Sequence, residues 1–185
     1  MMRFLFLLAL LPAAVLSTAV DSESLSFCES PTVVSQSYIG EDKDVKVENI
    51  RCANDLTARS DVDKRGGSVN ICGARCTTKC FQPAGGGPNP FDCKVIANLL
   101  DKNRKNDNIF TIPAGNSVIK MQYRSCTTYF ANKAGIDEQY CLSDWGSLTE
   151  SIAFDCQAQQ NAHGGECVAN DNRWLSLIFY ICRAA

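Results

Sequence analysis

The sequence predicts an α+β fold, a small disulfide-rich domain in which two helices pack around a sheet. Three observations predict it. The chain opens with a secretory signal and carries eleven cysteines, and in an oxidising compartment that many cysteines imply a crosslinked framework. Apolar residues recur at helical spacing twice, after 89 and after 143. The remaining apolar runs are short, rich in β-formers and bounded by turn residues.

The signal comes first. Arg3 precedes an apolar run over 4–11, and small residues lie around Ser17-Thr18-Ala19. This is a positive n-region, an h-region and a small-residue cleavage site, so 1–19 reads as a secretory peptide removed after Ala19. The run is shorter than the ~20 residues a bilayer span needs, and no later segment approaches that length. No membrane insertion is expected, and the protein is expected to be secreted and extracellular.

Residues 20–65 differ in charge from the remainder of the chain. They hold ten acids and six bases, a net charge of −4, against ten acids and eleven bases over 66–185, a net charge of +1. The segment ends Asp61-Val62-Asp63-Lys64-Arg65 and is succeeded by Gly66-Gly67-Ser68. A dibasic pair in a polar, glycine-flanked stretch suits a processing protease whose acidic pockets take two adjacent cations. Cleavage after Lys64-Arg65 is therefore expected, making 20–65 an acidic pro-like segment and 66–185 the mature domain. Such a segment would mask a weakly basic surface by attraction. Cys28 and Cys52 lie within it and either pair with each other or crosslink to the main domain.

The stretch over 72–100 organises the rest. Cys72, Cys76, Cys80 and Cys93 fall within it. Zinc would need a fourth ligand at regular spacing beside the first three, and the only histidine, His163, is remote. Disulfides are the better reading, each worth about 2–4 kcal/mol. After the run Gly85-Gly86-Gly87-Pro88 a helix starts: Asn89 caps it, Pro90 suits the first position, and Asp92 suits the positive end of the dipole. Phe91, Val95, Ile96, Leu99 and Leu100 are expected on its buried face.

A polar connection over 102–108 leads to a short strand at 109–112. Pro113-Ala114-Gly115-Asn116 is a turn, and 117–124 is the returning strand, with Ile119, Met121 and Tyr123 on one face and Lys120, Gln122 and Arg124 on the other. The run 126–130 continues it, and 132–135 turns. Ser143 reads as the cap of a second helix with Asp144 in its first turn, and Trp145, Leu148, Ile152 and Cys156 face the core. Gly164-Gly165 stops that helix, 168–171 is a link, and 173–183 is a strand. Its apolar stretch 174–181 suits burial on both faces. The mature domain thus has a typical single-domain size. Nine cysteines lie beyond residue 65. Eight, namely Cys72, Cys76, Cys80, Cys93, Cys126, Cys141, Cys156 and Cys167, are expected in bridges, with Cys182 left over; eight allow 105 connectivities.

Catalysis has little material. His163 is the only imidazole for any nucleophile and sits in a helix-ending turn, where a structural role is ordinary. Asp144, Asp155 and Asp171 show no spacing that pairs two of them for glycoside hydrolysis. The triple glycine lacks the Lys-Ser/Thr of a phosphate loop. The absence of basic runs argues against a nucleic-acid partner. No enzyme, cofactor or metal is expected. Binding has better material: Tyr123, Arg124, Asn161, His163, Asn170, Asp171 and Trp174 are planar polar or aromatic groups near strand ends and loops. Sugars offer hydroxyls above apolar C–H faces, which such mixtures suit. For Trp174 and Tyr123 the alternative is a place in the core, and for Asn170-Asp171 a turn.

Four segments, CTTKCFQPAGGGPNPFDCKVIANLL (76–100), MQYRSCTTYF (121–130), AFDCQAQQNAHGGECVA (153–169) and NRW (172–174), resemble the secreted cysteine-rich glycan-binding proteins of mushrooms, first known from an ink-cap. The resemblance spans 72–180 and leaves 20–65 outside it. It implies an α/β/α sandwich with a central antiparallel sheet, and homodimers formed by continuing the sheet between protomers. It also implies lectin-like, non-catalytic binding of N-acetylhexosamine-containing glycans or glycoproteins, in fungal defence or recognition. A protein-binding effector or toxin on the same scaffold is the competing expectation, and a small hydrolase the third.

Overall fold

A computed structural model of the protein describes residues 28–53, 67–82, 86–102 and 109–180, the side chains of 179 and 180 excepted. The signal with Ala19, the Lys64-Arg65 pair and Cys182 lie outside the described residues. The elements run β1 (Thr32–Ile39), β2 (Val45–Arg51), β3 (Val69–Asn70), β4 (Cys76–Cys80), α1 (Pro90–Lys102), β5 (Ile109–Ile112), β6 (Ser117–Tyr123), β7 (Cys126–Asn132), β8 (Glu138–Cys141), α2 (Leu142–Ile152), β9 (Gly164–Ala169) and β10 (Trp174–Tyr180). A π-helical turn, Ala153–Ala158, extends α2. This is a mixed α+β fold.

Seven strands form one antiparallel sheet in the order β1-β2-β6-β7-β10-β9-β4, and β3-β8-β5 form a second, smaller sheet. Strand alternation divides the large sheet into two faces. Ile119, Met121, Phe130, Trp174 and Ile178 share one core cluster with Ile96 and Leu100 of α1 and Trp145 and Ile152 of α2. Both described helices therefore lie on the same face. The opposite face carries a second cluster, with Ile50, Val118, Tyr129, Ala131, Leu175 and Leu177. Central β10 is covered on both faces for this reason, as its almost wholly apolar run, interrupted by Ser176, predicts.

Aromatic packing fills the helix-side core. Phe130 stacks on Trp174 with ring centroids 5.3 Å apart and on Tyr140 at 4.6 Å. Gly146 lets the helices close, because a Cβ there would lie 2.8 Å from the Ala97 carbonyl oxygen. All ten cysteines among the described residues are bridged: Cys28–Cys52, Cys72–Cys141, Cys76–Cys167, Cys80–Cys156 and Cys93–Cys126. Three of these tie the strand-and-turn stretch 72–80 to partners 69 to 91 residues away.

Several local expectations need correction. Residues 32–51 form β1 and β2, a hairpin built into the large sheet through β2 and β6. The packed unit thus begins before residue 65, because alternating apolar side chains at 45 and 47 reach the core even though charges surround them. Cys76 and Cys80 lie on a strand, and their even spacing puts both on one face. Residues 126–130 do not continue β6 but return beside it, since Arg124 takes φ 47° in a tight turn, a left-handed conformation that arginine seldom signals. Helix α2 is capped at Cys141 without a side-chain bond, so Ser143 lies inside it. Asp144 in its first turn instead accepts the Gly73 N–H at 2.7 Å. Residues 168 and 169 belong to β9 rather than to a link.

Candidate functional site

Strand register sorts the predicted binding residues into two groups at opposite ends of the large sheet. Tyr123 pairs with Cys126, which in turn pairs with Tyr180. Gly164 pairs with Phe179, so Asn161 and His163, just ahead of β9, stand at this same end. Asn170 and Asp171 occupy the β9–β10 turn, at the end where Trp174 pairs with Asn132. Along β10 the two ends are roughly 20 Å apart at about 3.3 Å per residue.

The first end is held from several sides. The Cys93–Cys126 bridge joins α1 to β7. Ser125 donates its hydroxyl to the Asp92 carboxylate at 2.6 Å and accepts the Asn89 N–H at 3.0 Å, which ties the start of α1 to the β6–β7 turn. Arg124 is exposed in that turn, its guanidinium 5.1 Å from the Tyr123 ring centroid. A Cβ at Gly87 would meet the Ala162 carbonyl oxygen and Gln157 Cγ, each at 2.4 Å, so Gly87 packs directly onto the segment bearing His163. The His163 ring lies 5.8 Å from that of Phe81. Asn161 is exposed and left-handed at φ 53°.

Two aromatic residues that sequence reasoning does not assign to binding complete this end. Phe91, expected in the core, is 67% exposed on the first turn of α1. It meets Phe154 edge-on at 5.7 Å. Lys94 lies 5.8 Å from the Phe154 centroid and pairs with Glu150 at 2.9 Å. A signal for Phe91 exists in the spacing. The buried stripe of α1 runs Cys93, Ile96, Ala97 and Leu100, and Phe91 falls off it. Phe154 is likewise out of step with Ile152 and Cys156.

The opposite end is a structural junction. Trp174 is 1% exposed and stacked in the core, so it offers no face to a ligand, which corrects its place among the binding residues. Asn170 accepts the Thr77 hydroxyl at 3.2 Å, which ties the turn to β4, and Asp171 accepts the Arg173 N–H at 3.1 Å, a local turn bond. The buried Asn132 amide donates to the carbonyls of Ile112 and Ile136, each at 2.9 Å, and to that of Pro113 at 3.2 Å. Glu138 is fully buried beside it on β8, and neither carboxylate oxygen has a hydrogen bond among the described residues. Burial pushes its carboxyl up to about 7; the Arg173 charge, 3.6 Å away, opposes this and the Asp171 charge adds to it.

A cavity of about 260 Å³ lies between the hairpin and β5–β6, lined by Val34, Asn49, Arg51, Thr111, Pro113 and Ile119 among others. Cys72, Cys141 and Asp144 have ligand atoms within 4.8 Å of one another, but both sulfurs are in a disulfide, which leaves one carboxylate. Asp144, Asp155 and Asp171 sit on different elements; Asp155 accepts from Gln159 at 3.0 Å. Comparison with known protein families finds no match for this chain, and comparison with curated proteins finds none either.

Proposed function

We propose that this is a secreted glycan-binding protein that does no chemistry on its ligand. The observation that carries the reading is exposed Phe91, packed edge-on against half-buried Phe154, at the same sheet end as Tyr123, Arg124, Asn161 and His163. Aromatic faces take the apolar C–H faces of a sugar ring, and amide, guanidinium and imidazole groups meet its hydroxyls. The bridges and the hydrogen bonds through Ser125 pre-organise this surface, which lowers the ordering cost of binding. The likeness of four segments to mushroom glycan-binding proteins supports the same reading, with N-acetylhexosamine-containing glycans or glycoproteins as ligands. Five disulfides support an oxidising compartment, and no helix among the described residues is long and apolar enough to cross a membrane.

The test is binding of the exported, oxidised protein to glycans, compared with Phe91→Ala and Arg124→Ala. Loss of binding with unchanged melting supports the reading; full binding by both variants contradicts it. One observation favours a second reading, a protein-binding effector. Edge strand β1 is exposed at seven of its eight residues, carries no charge, and shows Val34 61% exposed and Tyr38 51% exposed. Such an edge accepts a partner strand. Homodimers by sheet continuation would have to form there or at β4, because β1 and β4 are the edges of the large sheet.

A further inference from the structure

We infer that the β1–β2 hairpin is a non-covalent subunit in waiting: once the chain is opened between 53 and 67, the hairpin stays bound to the β6 edge as a donated pair of strands. Sequence reasoning treats 20–65 as a piece to be removed. The described residues on both sides of the connection point to retention instead.

Two facts show that the hairpin is covalently independent. Its bridge, Cys28–Cys52, closes the hairpin on itself. The other four bridges join only residues from Cys72 onward, so no disulfide among the described residues crosses between the two parts. After a cut at Lys64-Arg65, the hairpin would be linked to the rest by packing alone.

The packing is that of a core strand. β2 pairs with β6 from Lys46–Gln122 to Arg51–Ser117 without a break in register. Val45 and Ile50 are buried in two different clusters, one on each face of the sheet. Val47 and Ile39 pack against the helix-side cluster as well. Departure of the hairpin would expose both apolar faces and the unpaired backbone of β6, a liability for any sheet.

A charge pair adds selectivity. Glu48 and Lys120 are both buried, and the Lys120 ammonium lies 3.1 Å from the Glu48 carboxylate across the β2–β6 boundary. Lys46 pairs with the same carboxylate from within the hairpin. Burial alone would push the Glu48 carboxyl up, but the Lys46 hydrogen bond and the Lys120 charge and hydrogen bond together bring it below the usual carboxylate range. Without the hairpin Lys120 would exchange this counter-ion for water at the newly exposed β6 edge, whereas a bound strand with no acid at this position would leave the lysine buried and unpaired, which is strongly unfavourable. The β6 edge therefore fits one kind of occupant: an extended strand with small apolar residues on the helix-side face and an acid opposite Lys120. This chain's own hairpin supplies it.

The experiment uses the full oxidised protein with 60–65 replaced by the recognition sequence of a site-specific protease, cut to completion. At neutral pH both fragments are expected in one gel-filtration peak, separating into two masses under denaturing, non-reducing conditions. In the same cut protein Glu48→Lys is expected to weaken retention roughly a hundredfold. Should that variant fail to fold before cutting, Glu48→Gln or titration of the wild-type pair well below the usual carboxylate range reads the same contact. Release grows as pH falls, because a depressed carboxyl stabilises the paired state above its unfolded value and loses that contribution on protonation. A hairpin fragment that leaves the wild-type peak in neutral buffer overturns the inference, as do fragments that stay joined in non-reducing denaturant. Retention unaffected by both the Glu48 change and acid overturns the role of the pair.

Discussion

Replacing Glu138 with glutamine should stabilise the protein at alkaline pH and leave it unchanged in acid. Glu138 is fully buried on β8, without a hydrogen bond to either oxygen among the described residues, and its nearest cation, Arg173, is 3.6 Å away. Its carboxyl rises from 4.5 to about 7 on folding. The fold thus binds the proton more tightly than the unfolded chain does, so stability falls as pH rises. The contribution is complete below about 4.5, declines between there and about 7, and is gone above. A shift of this size corresponds to about 3 kcal/mol at 1.36 kcal/mol per unit. Glutamine keeps the shape and removes the charge, while Arg173, about one-third exposed, stays in contact with water. Urea unfolding with disulfides intact, at pH 4, 6 and 8, is the assay. The expected difference between variant and wild type is near zero at pH 4 and grows toward about 3 kcal/mol at pH 8. A difference that does not change with pH, or a variant that loses stability at pH 8, would refute the reasoning.

Three further outcomes rest on the same geometry. Gly165→Ala places a Cβ 2.7 Å from the Cys156 sulfur and 2.9 Å from Ile152 Cγ2; overpacking of about 1–3 kcal/mol should lower the melting temperature. Mass analysis after alkylation should show whether the Cys80–Cys156 bridge still closes. Asn132→Ala removes three donated bonds to the Ile112, Pro113 and Ile136 carbonyls and leaves those acceptors short, at a cost of about 3 kcal/mol in denaturant unfolding. Phe91→Ala should reduce glycan affinity about tenfold or more in titration calorimetry with little change in melting, since the ring is mostly in solvent.

Periodicity made part of this fold legible. The 109–112 strand, the turn at 113–116 and the apolar run of β10 each arise from spacing that a single packing solution satisfies. So does the Trp145–Leu148–Ile152–Cys156 stripe, which meets the sheet as predicted. The hairpin was harder to read. Its alternation of Val45, Val47 and Asn49 with Lys46, Glu48 and Ile50 sits in an acidic segment, and charges near an edge are also what protects an edge. Cys28–Cys52 was one of two pairings the sequence offered for those cysteines, but the pairing of the other eight was not legible, because partners up to 91 residues apart are brought together by the sheet and not by their spacing. The candidate site was partly legible: Tyr123, Arg124, Asn161 and His163 share one end, while Asn170 and Asp171 serve a turn and Trp174 serves the core. A tryptophan opening a strand says little about which face it takes until neighbouring strands are known.

The most direct measurement is a chemical-shift map of the oxidised protein titrated with N-acetylhexosamine-containing oligosaccharides. Saturable shifts centred on Phe91, Arg124, Phe154 and His163, and lost in Phe91→Ala, are the predicted result. No shifts at millimolar sugar, or shifts confined to the Asn170–Asp171 turn, would contradict it.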